Sequence, residues 1–249
     1  MPQRRIRALA LKRTKLGEAD LIVTFLAEDG CQVRAVAKGA RKTGSRFGAR
    51  VEPFAVVDLM LHEGRTLDVI TDVQTVTSHA PLREDYDRAS AGSVVADFLD
   101  KVSVECQTEE RLFALAEATL AAMEKAEIDA LPLLVVAFLL KGMAMHGYRP
   151  QFGSCALCGA GPGDGARFSV EHGGPVCEAC AGGTEVVRMT PPVRSLLSSL
   201  MGARMAEVAT CEVPAPLLAE AMAVVRAFVV YHVPARLKAL AMYGAALGR

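Results

Sequence analysis

Residues 4–78 carry a hydrophobic period of two. Leu21, Val23 and Phe25 alternate with Ile22, Thr24 and Leu26, the spacing of a strand with a buried face. Asp29-Gly30 supplies a hairpin turn signal, and Val33, Ala35 and Ala37 then alternate with Gln32, Arg34, Val36 and Lys38. After a loop holding Gly39, Gly44 and Gly48 the pattern resumes over Phe54 to His62. It turns at Glu63-Gly64-Arg65 and ends with Leu67, Val69, Thr71 and Val73. With Ile6 to Leu11 as the first strand, the segment holds five short strands. A small closed barrel leaves no strand edge exposed and is the expected form. An open meander covered by later helices would satisfy the same pattern.

Beyond Pro81 the period becomes helical. Pro81 followed by Glu84 and Asp85 suits a helix start. Val94, Val95, Phe98, Leu99 and Val102 then share one apolar face. Thr108, Glu109 and Glu110 open a second helix carrying Leu112, Leu115, Ala116, Leu120 and Met123. Pro132 to His146 is a third, apolar nearly all round and so expected at the centre of a bundle, with Gly147 placed to cap its C-terminus. A cysteine segment spans 155–180, and helices are predicted near Pro192–Met201 and Pro216–Tyr231. No internal repeat is present.

Length and composition narrow the class. The chain has 249 residues, 51% hydrophobic and 22% charged, enough for one large domain or two to three small ones and too apolar for a chain disordered throughout. The longest uncharged apolar stretch in a helical context, Leu131 to Leu140, falls short of the ~20 residues a membrane helix needs. The N-terminal apolar run Ala8 to Leu11 is cut off by Lys12 and Arg13, too early for a cleavable signal. A cytoplasmic protein with no membrane segment is expected. The net charge of zero conceals an asymmetry: residues 1–50 carry +8, residues 51–79 carry −4, residues 80–150 carry −5 and the rest +1. A basic first segment on an otherwise acidic chain points to a polyanion site at one end.

Four of the seven cysteines form Cys155-x-x-Cys158 and Cys177-x-x-Cys180, the spacing of a four-thiolate zinc site. The intervening Gly- and Pro-rich sequence suits a loop folded around metal. Four thiolates fill the coordination sphere, so Zn2+ here is expected to be structural; His172 inside the loop is the lesser candidate ligand. Cys31, Cys106 and Cys211 stand alone and read as small packing residues.

The densest basic stretch runs from Arg41 to Arg50 and contains Lys42, Arg46 and Phe47 on a glycine-rich loop. Cations contact phosphates and an exposed ring stacks on a base, neither requiring a particular base sequence. Arg34 and Lys38 are in phase on the strand leading to that loop, and Arg5, Arg7 and Arg13 are in phase on the first strand. The candidate nucleic-acid contacts are therefore Arg34, Lys38, Arg41, Lys42, Arg46, Phe47 and Arg50. Phe47 could equally tuck under its loop as an anchor. Against an enzyme, there is no Gly-Lys dipeptide for a P-loop and no Gly-x-Ser-x-Gly elbow, and no histidine follows His62-Glu63 at the zinc-protease spacing.

Three stretches together resemble the bacterial RecO family of recombination mediators. They are Leu16-Gly17-Glu18-Ala19-Asp20 with Ala37-Lys38-Gly39-Ala40-Arg41-Lys42; Gly147-Tyr148-Arg149-Pro150 leading into the first cysteine pair; and the second pair with a tail ending Arg236-Leu237-Lys238-Ala239-Leu240. The resemblance implies an α+β chain, with a five-stranded OB-fold barrel at 1–80 and an α-helical domain at 81–249 that contains a zinc-binding segment at 153–183. It implies a non-enzymatic DNA repair protein of the cytoplasmic nucleoid that binds single- and double-stranded DNA and anneals complementary strands. With RecR as partner, such a protein engages the SSB C-terminal tail and assists RecA loading. An RNA-binding barrel with a structural zinc module is the alternative on residue chemistry, and a zinc hydrolase, which would need an open metal position, is a third.

Overall fold

The computed structural model describes residues 3–45, 47–105, 107–165 and 167–247. They fall into two compact units, Met1–Glu124 and Lys125–Arg249.

In the first unit the five predicted strands form a closed barrel: β1 (Gln3–Leu16), β2 (Asp20–Ala27), β3 (Gln32–Ala37), β4 (Val56–His62) and β5 (Asp68–Thr77). The order around the barrel is β1-β2-β3-β5-β4, which is that of an OB-fold. All neighbours are antiparallel except β3 and β5, where Ala35 pairs with Asp68 and Val36 with Val69. The open meander is therefore excluded. β1 is longer than the sequence suggested because it serves two partners. Gln3 to Leu9 pair with β4, and Ala8 to Leu16 pair with β2.

The register with β2 shifts between Ala10 and Lys12, a β-bulge at Leu11. Before the bulge, Ile6, Ala8 and Ala10 face the barrel interior with Val23, Phe25, Leu59 and Leu61. After it the parity is reversed, and Arg13 pairs with the interior residue Val23. Arg5 and Arg7 lie opposite Met60 and Asp58 on the outer face. The three arginines thus do not share a face, because the strand bends between them.

Three helices complete this unit. The single helix expected from Pro81 is two: α1 (Ala80–Glu84) and α2 (Tyr86–Val102). Asp85 between them is extended, at φ −112° and ψ 132°, and its Oδ1 accepts the Arg88 backbone N–H at 2.9 Å. That local cap outcompetes a continued helix. α2 lies against β1 and β2, and Leu9 and Leu26, which point out of the barrel, are fully buried. α3 (Glu110–Lys125) follows. The loop before it secures the β2–β3 hairpin: Glu109 N–H donates to Asp29 O at 3.0 Å, and Gln32 N–H to Val104 O at 3.2 Å.

The second unit is built on α4 (Leu131–Met145), preceded by a 3-10 turn at Ile128–Ala130. Leu133 to Leu140 are all buried, which accounts for a helix apolar on every side. The turn after it is a Schellman-type cap: Gly147 has φ 97°, and the Tyr148 N–H donates to Met143 O at 2.9 Å. α5 (Pro191–Gly202), the short α6 (Met205–Val208) and α7 (Ala215–His232) all pack on α4. α8 (Lys238–Leu247), absent from the sequence reading, packs on α7. Between α4 and α5 the cysteine segment holds a small sheet, also unanticipated: β6 (Arg167–Ser169) lies between β7 (Gly174–Val176) and β8 (Val186–Arg188).

Two helical windows are long and apolar enough to cross a membrane by length and composition alone. They are Ile128–Met145, mean hydropathy 1.9, and Ala215–His232, mean hydropathy 1.3. Counting only uncharged runs missed both. The first window is 67% buried within the fold, as a core helix must be; the second is 33% buried and carries Glu220 and Arg226. Lys141 keeps its aliphatic stem in the core and donates its ammonium to Met201 O at 2.9 Å; burial lowers its pKa.

Gly30 joins hairpin and helix. Its φ is +87°, and an added Cβ would collide with the Glu109 backbone. Gly30→Ala is expected to cost about 1–3 kcal/mol, combining left-handed strain with the clash. Thermal unfolding should show the melting temperature lower by several degrees, and an unchanged value would contradict this account of the turn.

Candidate nucleic-acid interface and metal centre

The loop from Lys38 to Ala55 closes one end of the barrel. It is tied down at several points rather than hanging free. Asp20 Oδ1 accepts the Gly39 N–H at 2.7 Å, Ala19 O accepts the Arg41 N–H at 2.9 Å, and the Arg41 guanidinium donates to Gly17 O at 3.0 Å. The stretches 16–20 and 37–42 are thereby one structural element. Further on, the Phe54 N–H donates to Ala10 O at 2.8 Å, and Phe54, in the left-handed region at φ 73°, packs its ring on Gly92 of α2.

Phe47 is 9% exposed and belongs to the barrel core with Val51, Ala40 and Ala37. Its ring is turned inward, so the stacking role is corrected to that of an anchor. The physical reason is that an 18-residue loop spanning a barrel mouth needs an apolar residue beneath it; Phe47 takes that place, while Phe54 packs on α2. Arg46 lies outside the described residues.

The remaining candidates are exposed. Arg34 and Lys38 point away from the barrel, alternating with the interior residues Val33, Ala35 and Ala37. Arg41, Lys42 and Arg50 are exposed on the loop, and Arg50 donates to Val73 O at 3.1 Å. None of these five makes an ion pair among the described residues.

Five cations of β1 are in the opposite situation, Lys15 being the exception. Arg4 meets Asp68 at 2.7 Å, Arg5 and Arg7 share Asp58 at 3.1 and 3.2 Å, Lys12 is 3.6 Å from Asp100, and Arg13 meets Glu52 at 2.6 Å. For Asp58, partial burial pushes the pKa up, but the hydrogen bonds from Arg7 and Arg5 outweigh it and hold the carboxyl below its ordinary value. The sequence pattern marks Arg5, Arg7 and Arg13 as a further in-phase basic set on the first strand. Their carboxylate partners are tens of residues away in the chain, so only the fold separates neutralised from free charge.

In the second unit the four cysteine sulfurs Cys155, Cys158, Cys177 and Cys180 all lie within 4.8 Å of one another, with Cys158 and Cys177 Sγ 3.8 Å apart. Four thiolates bound tetrahedrally at ~2.3 Å would be separated by about 3.8 Å, so the group could hold a metal ion. Each pair sits on its own turn. Gly159 N–H donates to Cys155 O at 2.9 Å, with Gly159 at φ 73°, and Cys180 N–H donates to Cys177 O at 3.0 Å. The small sheet joins the turns: Ala156 N–H bonds Pro175 O at 2.7 Å, just before the second pair.

Backbone N–H groups of Cys158 and Cys177 point at Cys155 and lower its thiol pKa to about 6. Hydrogen bonds from the Cys177 and Cys158 side chains raise that of Cys180 to about 12. His172 turns elsewhere, its Nδ1 3.0 Å from Ser169 Oγ, so the cysteines alone make the donor set. Of the lone cysteines, Cys31 is half-buried, Cys211 is exposed rather than packed, and Cys106 lies outside the described residues.

Comparison with known proteins now bears on both sites. Residues 1–79 match the family described as Recombination protein O N terminal, and residues 83–241 the one described as Recombination protein O C terminal. The chain belongs to the RecO family. It is 39% identical to a DNA repair protein RecO of a Nocardioides species over 241 residues, 95% of this chain and 97% of the relative. It is 37% identical to that of Rubrobacter xylanophilus over 249 residues, 98% of each chain. RecO membership carries a role in DNA repair and covers both the barrel and the cysteine segment.

If metal organises the cysteine segment, its binding free energy is local folding free energy. Chelation should then raise protease cleavage within residues 153–183 and leave the barrel resistant. Lost DNA binding without local unfolding would instead place the metal in contact with DNA.

Proposed function

We propose that this RecO-family chain is a non-enzymatic DNA-binding and strand-annealing protein that acts in the cytoplasm at the nucleoid. The observation that carries the reading is the set Arg34, Lys38, Arg41, Lys42 and Arg50, without ion pairs among the described residues, on a closed barrel where Arg4, Arg5, Arg7 and Arg13 are each held by a carboxylate. Free cations on a fixed platform attract phosphate and release counterions on binding, with little demand on base sequence. Held together, two complementary strands repel each other less, and base pairing supplies the driving force without nucleotide hydrolysis.

On this reading residues 1–80 are the DNA-binding domain, with Arg46 joining the set, and residues 81–249 the helical domain. Zn2+ held by Cys155, Cys158, Cys177 and Cys180 staples the segment 153–183. A four-thiolate sphere leaves no position for water, which favours a structural over a hydrolytic metal. The family further suggests RecR and the acidic, hydrophobic SSB tail as protein partners, and RecA loading on SSB-coated DNA as the outcome.

The experiment is annealing of complementary oligonucleotides, bare and SSB-coated, without added nucleotide. The protein should accelerate both. A Lys38→Glu, Lys42→Glu double variant should slow both reactions, weaken binding, and reduce the salt slope by about one per residue changed. Arg5→Gln should leave affinity within about twofold, since that charge is already engaged by Asp58. Unchanged affinity and slope in the double variant would remove this face from the account. A matched RNA competing as well as DNA would favour the RNA-binding reading.

A further inference from the structure

A run of four rings lies in the second unit, unused by the reading above. His146 and Tyr148 have centroids 5.8 Å apart. Tyr148 and His232 follow at 4.4 Å with planes 32° apart, and His232 and Tyr231 at 4.9 Å and 76°. His232 is fixed: its Nε2 lies 2.8 Å from Val170 O, and Phe228 packs edge-on at 4.7 Å. The two tyrosines beside this fixed ring are nevertheless 39% and 48% exposed. Tyr148 is positioned by the same Gly147 turn that ends α4, and Tyr231 by the last turn of α7.

The segments that carry these rings hold charge of one sign. Residues 130–163 and 221–249 contain no Asp or Glu, while they hold Lys141, Arg149, Arg226, Arg236, Lys238 and Arg249. Arg149 adjoins Tyr148, and Arg236 and Lys238 follow His232 closely. All three are exposed, and none forms an ion pair among the described residues. Two carboxylate residues neighbour Val170: Glu171, whose carboxylate accepts the Thr184 hydroxyl at 3.4 Å, and Glu185, whose backbone carbonyl accepts the Val170 N–H at 3.4 Å.

Exposed rings held rigid and flanked by unpaired cations match what unpaired bases require: a flat apolar face for stacking and positive charge for the backbone. A protein partner would take the rings as readily, but it would not call for ring-bearing segments that carry cations and no carboxylate. Duplex DNA would use the cations alone, because its bases are already stacked.

We propose that Tyr148 and Tyr231, with Arg149, Arg236 and Lys238, form a second site that binds single-stranded DNA by base stacking without sequence preference. The inference rests on the DNA-annealing reading and extends it: the barrel loop, whose own aromatic residue is buried, holds strands by charge, and this site holds unpaired bases.

The test uses the full chain with its metal and a thymidine 30-mer carrying a central 5-iodouracil. Photocrosslinking followed by peptide mapping should mark Tyr148 or Tyr231. A Tyr148→Leu, Tyr231→Leu double variant, which keeps apolar bulk, should bind the 30-mer about fivefold or more weakly while duplex affinity changes less than twofold. Crosslinks confined to residues 34–50, with unchanged affinity in the Leu variant, would overturn the second site and leave the barrel reading intact. A Leu variant that keeps its DNA affinity but loses self-association in sedimentation would make the patch a contact between copies and equally overturn it. A wild-type chain that binds no DNA at all would remove both readings together.

Discussion

The extra residue at Leu11 in β1 is the constraint on which the first unit turns. A five-stranded sheet closes only if one strand bends enough to pair with both its neighbours. β1 does so, passing from β4 to β2 along its length with the bulge where the partners change over. The same bend reverses which side chains face inward. Arg5 and Arg7 stay outside with Asp58, whereas Arg13 is directed to the mouth of the barrel, where it reaches Glu52 and the Gly48 carbonyl. Closure and the distribution of charge are therefore consequences of a single irregularity.

With Arg4, Arg5, Arg7, Lys12 and Arg13 engaged, most of the barrel's unpaired positive charge lies on β3 and the loop after it. That loop is secured at its start by Asp20 and Gly17, by Phe47 in the core, and by Phe54 against α2. A secured loop loses little conformational freedom when it meets a polyanion, which favours binding over an equally charged but mobile one. RecO membership gives the chain a role in DNA repair.

The second unit follows a different logic. Its organising element is a helix with no polar face, α4, which can exist in water only when α5, α6 and α7 cover it. The cysteine segment is inserted between α4 and α5, with too little apolar sequence to form a core of its own. Two tight turns and three short strands bring its sulfurs together, and a bound ion would supply the stability that such a segment lacks.

Much was legible in the chain itself. Period-two alternation gave all five strands, because each has one face in a common interior, and the continuous apolarity of Leu131 to Leu140 gave the central helix. The paired Cys-x-x-Cys spacing gave the cluster of four sulfurs that could hold a metal ion, since the geometry of each half is set within four residues. Where local chemistry competed with periodicity the pattern misled: Asp85 caps and breaks the helix begun at Pro81, and α6, α8 and the small sheet are too short or too context-dependent to announce themselves. Which cations are free and which are spent, and whether Phe47 faces water or core, were decided by tertiary structure alone. The reason is physical: an ion pair or a buried ring is a relation between residues brought together by folding, and Arg5 and Asp58 are neighbours only once the barrel has closed.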